Sequence, residues 1–73
     1  MQGNPWGLND TEAKIMDLLV ETGCNKATAR RLFRSAKTVE SHMGRIIAKM
    51  NMPMQVVRCV AWDRWRRNLK ETE

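Results

Sequence analysis

The sequence predicts an all-α fold of four helices around one core, and three observations carry that expectation. Apolar residues recur every three to four positions through most of the 73 residues, which is the spacing of one helix face. Asn or Ser stands immediately before three of these runs, where it can cap a helix, and no segment alternates with the period of two that marks a half-buried strand. A chain of this length has room for one core and no second domain.

The elements follow in order. Residues 1–8, with Gly3, Pro5 and Gly7, read as an irregular arm that carries Trp6. A first helix over about 10–22 starts at Asn9-Asp10-Thr11-Glu12, where Asn9 caps and Glu12 reaches back to close a capping box. Ile15, Met16, Leu18 and Leu19 follow at helical spacing, and Gly23 ends the run. Asn25 caps a short second helix over about 26–32, with Ala29 and Leu32 inward and the Thr28 hydroxyl bonding back to the Cys24 carbonyl. Phe33-Arg34-Ser35 makes a tight connection, and Ser35 caps a third helix over about 36–50 that buries Val39, His42, Met43, Ile46, Ile47 and Met50. Pro53 suits the first turn of a fourth helix over about 53–68, so that 9–68 form the domain and 69–73 a short tail. Two helices joined by a short turn, the second longer, basic and capped, make a helix-turn-helix.

Charge is unevenly spread along the chain. Over residues 1–25 Lys14 stands alone against Asp10, Glu12, Asp17 and Glu21, whereas the other twelve of the 13 Lys and Arg lie in residues 26–73. A basic C-terminal two-thirds on an acidic first helix suggests one face turned toward a polyanion. Other classes find no support. Cys24 and Cys59 are too few for a disulfide scaffold and read as reduced, buried thiols. The lone His42, on the apolar side of the third helix, reads as a packing residue. No nucleophile–base pair and no ligand cluster is visible, so no catalytic or metal site, cofactor or small-molecule ligand is expected. No apolar run reaches the length of a membrane span and no signal pattern opens the chain, so a cytoplasmic protein is expected.

On a wheel centred on Val39, the face of the third helix opposite the core collects Lys37, Ser41, Gly44, Arg45 and Ala48, with Thr38 at its edge. Small residues alternating with bases suit a helix pressed into a major groove about 12 Å wide. Lys37, Thr38, Arg45 and Lys49 read as phosphate contacts, and Lys26 and Arg34 as contacts to the flanking backbone.

Leu8, Glu12, Ile15, Leu18-Leu19, Asn25-Lys26, Ala29, Leu32, Ser35, Thr38-Val39, His42, Ile46 and Lys49 stand at the spacing of a known signature. Over residues 8 to about 62 the chain resembles the LuxR-type (GerE/NarL) helix-turn-helix family, in the stand-alone form that lacks a receiver or ligand-sensing domain. The resemblance implies double-stranded DNA as partner, the third helix in the major groove, dimers formed through the fourth helix, and a bacterial or phage origin. It also places base reading at Glu40, Ser41 and Gly44, where this chain departs from its relatives. An acid there repels phosphate unless it accepts from a cytosine amino group, and Gly44 offers no side chain to read with.

The fourth helix carries two apolar stripes. Val56, Val57, Val60 and Ala61 are expected to dock on the core, leaving Trp62, Trp65 and Leu69 as an exposed stripe with Arg58 stacked one turn earlier. Arg58, Trp62, Trp65 and Leu69 are therefore the expected homodimer interface; the alternative is that Trp6 and the arm fold over the stripe within one chain. The run Arg64, Arg66, Arg67, Lys70 adds charge for phosphate or a partner. The functional expectation is a DNA-binding transcription regulator acting as a homodimer. The alternative is an interaction module that has lost DNA reading and modulates a related regulator, by heterodimerisation, or the transcription machinery.

Overall fold

The computed structural model describes the backbone of residues 4–72 and the side chains of residues 4–69. Residues 1–3 of the expected arm, the Lys70 side chain of the expected basic run and the last residue, Glu73, lie outside the described residues. Among the described residues the chain forms four helices and no strand, as the periodicity predicts: α1 (Asp10–Thr22), α2 (Asn25–Leu32), α3 (Ala36–Met50) and α4 (Gln55–Thr72). α1 is the spine. It packs against each of the other three, with the α2–α3 pair on one side and α4 on another. Its inward residues Ala13, Ile15, Met16 and Leu19 meet Ala29, Val39, Met43, Ile46, Met50 and Trp62 in one core.

Local chemistry sets the helix ends. Asn9 Oδ1 accepts from the Glu12 N–H at 2.9 Å and Glu12 Oε1 accepts from the Asn9 N–H at 3.0 Å, so the predicted capping box is present. Gly23 ends α1 in the left-handed region at φ 77°, which a residue without Cβ adopts freely. The start of α2 differs from expectation: Cys24, extended at φ −150°, is the cap, and its Sγ accepts from the Ala27 N–H at 3.3 Å. Asn25 is the first helical residue instead, and Cys24 is exposed rather than a buried thiol. The Thr28 hydroxyl, fully buried, does donate to the Cys24 carbonyl at 2.9 Å.

α4 departs from expectation in start, end and orientation. It begins at Gln55, two residues after Pro53, and continues through Thr72, so the expected tail is largely helical. Arg58 is buried beneath the loop before it and donates to the Met52 and Pro53 carbonyls at 2.9 and 2.8 Å, so it braces a turn and does not stack on Trp62. The inward stripe is the tryptophan one. Trp62 is 1% exposed, while Val56, Val57 and Val60 are 70%, 46% and 52% exposed. Two partners that the helix alone does not reveal decide this. Trp62 Nε1–H donates to Asp17 of α1 at 2.7 Å, and Trp6 folds back to lie 5.8 Å, centroid to centroid, from Trp62 and 6.2 Å from Trp65, which is itself 4.9 Å from Trp62. An indole inside buries more apolar area than a valine and keeps its N–H paired. Asn4 shapes the arm by accepting from the Trp6 and Leu8 N–H groups and donating to the Leu8 carbonyl.

Candidate nucleic-acid interface

The turn between α2 and α3 is built by two chain-reversing devices in succession. Phe33 terminates α2 in the left-handed region (φ 57°, ψ 40°), with its N–H on the Arg30 carbonyl at 3.1 Å and the Arg34 N–H on the Ala29 carbonyl at 3.0 Å. These are the paired bonds of a Schellman end. Ser35, extended at ψ 154°, then caps α3: its Oγ accepts from the Thr38 N–H at 3.2 Å and lies 2.9 Å from the Thr38 hydroxyl. The cap fixes where α3 begins and leaves the N–H groups of its first turn pointing outward.

Rotation of α3 about its axis is set by the core. Val39, Met43, Ile46 and Met50 are buried, at 5% exposure or less. Lys37, Glu40, Ser41, Gly44, Arg45 and Ala48 are all exposed, and Thr38 is half-buried at the edge. The residues expected to read bases and the cations expected beside them therefore share one open surface. Glu40 makes no ion pair with any described residue. His42 is half-buried and lies on a groove of about 470 Å³ shared with Lys14, Arg34 and Thr38. Lys26, Arg30 and Arg34 converge on a second, smaller cleft against Ala36, so cations of α2 and the turn flank the start of α3.

Gly44 meets nothing within 4 Å at the place where a Cβ would stand. Nothing among the described residues asks for glycine in the middle of this helix. Gly44→Ala is accordingly expected to raise unfolding stability by about 0.5–1 kcal/mol, read from the urea midpoint at unchanged slope. Destabilisation instead would show a packing requirement at that position.

Lys49 is placed differently from the other cations. Its Nζ lies 2.7 Å from Glu12 Oε1, with the lysine side chain 37% and the glutamate 1% exposed. One carboxylate thus serves both the cap of α1 and an ion pair to the last turn of α3. Burial pushes the Glu12 carboxyl up, but the hydrogen bonds from Lys49 and the Asn9 N–H and the charges of Lys49 and His42 outweigh it and hold the group below its ordinary value. The pattern gave no sign of this pair, because residues 12 and 49 are linked only by the packing of α1 on α3. At the far end of α4, Arg66 bonds Asp17 and Asp63 at 3.0 and 3.1 Å and Arg67 bonds Asp63 at 3.1 Å, so much of the expected basic run is internally paired.

A short helix crossing a longer, capped one whose outer face is basic and open defines a helix-turn-helix domain. The chain belongs to the luxR family of bacterial regulatory proteins, whose GerE model matches residues 7–60. It is similar to two proteins of Mycobacterium tuberculosis. One is Rv0890c, described as an HTH-type transcriptional regulator, 40% identical over 52 residues or 70% of this chain. The other is the DNA-binding transcriptional activator DevR/DosR, 41% identical over 46 residues or 63% of this chain. The matched segments make up 6% and 21% of those two proteins. No solved structure matches the chain significantly.

Proposed function

We propose that the chain is a DNA-binding transcription regulator that lays α3 in the major groove and pairs through α4. One observation carries this: α3 has its apolar face shut in the core, while Lys37, Arg45, the small residues Ser41, Gly44 and Ala48 and the single acid Glu40 lie on the open side. Lys26, Arg34, Lys37, Thr38 and Arg45 hold phosphates and set register. Lys49 commits its charge to Glu12. Glu40, Ser41 and the bare backbone at Gly44 face the base edges, where Glu40 accepts from a cytosine amino group. The names of the two relatives, both transcription regulators, point the same way.

The orientation of α4 moves the pairing surface. Trp62 and Arg58 are engaged within the chain, and Trp65 and Leu69 are half-buried. The open apolar surface is Val56, Val57 and Val60, continued by Arg64. An apolar patch with a polar continuation is the make-up of a protein interface, so we place the dimer contact there.

Selection of bound sequences from random duplex, with mass measured in solution, tests the reading: an enriched two-fold motif and salt-dependent binding are expected. Glu40→Lys is expected to raise affinity for random duplex, steepen the salt slope by about one and change the preferred base. An unchanged motif counts against Glu40 as a reader. The open, unpaired Glu40 is also what favours the second reading, an interaction module without DNA reading. Absence of binding even at low salt removes the first reading and leaves the second.

A further inference from the structure

Phe33 is 95% exposed, the most open large apolar side chain among the described residues, and it is held at φ 57°. An exposed phenylalanine alone means little, since scattered apolar residues are normal on protein surfaces. Its backbone makes the case different. The left-handed region crowds the Cβ of a bulky residue, and glycine or asparagine satisfies the same Schellman end with less strain. The other non-glycine residue at positive φ, Asn51 at the end of α3, is of the tolerated kind. Among the described residues nothing repays a phenylalanine at this position: its ring makes no aromatic contact and lies outside the core.

Its surroundings identify what covers it. Lys26 and Arg30 fall at i and i+4 on the exposed side of α2, and Phe33 is the residue that ends that helix. Lys26, Arg30 and Arg34 line one cleft beside the first residue of α3, and Lys37 follows in its first turn. The four cations are exposed, and no acidic residue lies in the segment from Lys26 to Val39. Phe33 is two residues before the cap Ser35, within about 7 Å of it along the chain. A strongly cationic surface with one apolar ring at the mouth of the reading helix fits a polyanion that also offers apolar surface. The sugar-phosphate backbone of duplex DNA does so, through its deoxyribose faces.

We infer that Phe33 is an apolar DNA contact outside α3, seated on deoxyribose of the strand that borders the groove while Lys26, Arg30 and Arg34 take the adjoining phosphates. The inference rests on the DNA-binding reading and adds to it a contact that carries affinity without charge and without sequence preference.

Phe33→Asn and Phe33→Gly test it, because both suit the left-handed backbone and neither disturbs the core. Wild type and variants are titrated with the selected site and with random duplex over a range of salt, alongside thermal unfolding. Both variants are expected to unfold at the same or a higher temperature and to bind both DNAs about tenfold more weakly. The slope of log affinity against log salt should stay that of wild type, because no phosphate contact is lost. Unchanged DNA affinity overturns the inference and leaves Phe33 as a knob for a protein partner. A slope that falls by about one overturns it in favour of an indirect effect through the arginines, and a loss confined to the selected site overturns it in favour of base contact. If wild type binds no duplex at low salt, the DNA-binding reading itself fails and the inference with it.

Discussion

Trp62→Ala is expected to remove a large share of the stability of the fold, about 3–5 kcal/mol. Trp62 is 1% exposed, touches Trp6 and Trp65, and donates its indole N–H to Asp17 at 2.7 Å. Truncating a buried tryptophan to alanine costs about 3–5 kcal/mol. A domain of this size has a total stability of about 4–11 kcal/mol, so the loss takes a large share of it. The deletion also releases the arm, whose Trp6 has its ring contacts with Trp62 and Trp65. Trp62→Phe should fall between, keeping most of the area but losing the N–H donor, while Arg66 still satisfies Asp17. Serine at Val57 or Val60 should change monomer stability by no more than about 0.5 kcal/mol. Urea denaturation followed by far-ultraviolet circular dichroism checks the set. A cost below about 1 kcal/mol for Trp62→Ala, with a large one at Val57, would mean that α4 docks by its valine face.

Lys49→Ala has the second largest expected effect, and its signature is a change in pH dependence. Removing one partner of a fully buried pair costs about 3–5 kcal/mol. Lys49 is 37% exposed, so solvent screens part of this and about 2 kcal/mol is expected near pH 7. In the wild type the Glu12 carboxyl is held below its ordinary value. Its contribution is therefore fully present above the ordinary carboxylate range and lost as pH falls through the lowered native value. Without Lys49 two of the influences that lower the Glu12 carboxyl are lost while its burial remains, so the group moves up from its wild-type value. Mild acidification should then weaken the wild type more than the variant, each relative to its own stability at pH 7. Glu12 also has a second oxygen, Oε2, buried without a partner, which sharpens the penalty once Lys49 is gone. Parallel stability curves for the two proteins between about pH 3 and 7 would show that the pair does not set the state of Glu12.

Legibility of the fold follows how local the deciding physics is. The capping box of Asn9 and Glu12, the stop at Gly23, the cap at Ser35 and the inward stripe of α3 rest on neighbours within one or two turns, and each was readable from spacing alone. The cap of α2 was misplaced by one residue because a cysteine Sγ is a weaker and less expected acceptor than the adjacent Asn25. The faces of α4 could not be ranked from the helix itself, since valine and tryptophan stripes both have helical spacing. The ranking came from Asp17, 45 residues away, and from an arm whose Trp6 comes 56 residues before Trp62. The same limit applied to the surface of α3: the exposed set was legible from the wheel, but the diversion of Lys49 to Glu12 depends on how α1 crosses α3. Spacing places Phe33 in the connection before α3, but neither its exposure nor its positive φ leaves a trace in periodicity.

The gathering of Trp6, Trp62 and Trp65 into one cluster also decides what light can report about this molecule. The chain contains three tryptophans and no tyrosine, so its near-ultraviolet absorption and emission arise almost wholly from that cluster. Centroid separations of 4.9 to 6.2 Å make the three rings one coupled chromophore rather than three independent ones. That chromophore belongs to the clasp between the arm and α4, while the outer face of α3 carries no ring at all. Optically, the protein is labelled by nature on its structural side and dark on the side proposed to face DNA.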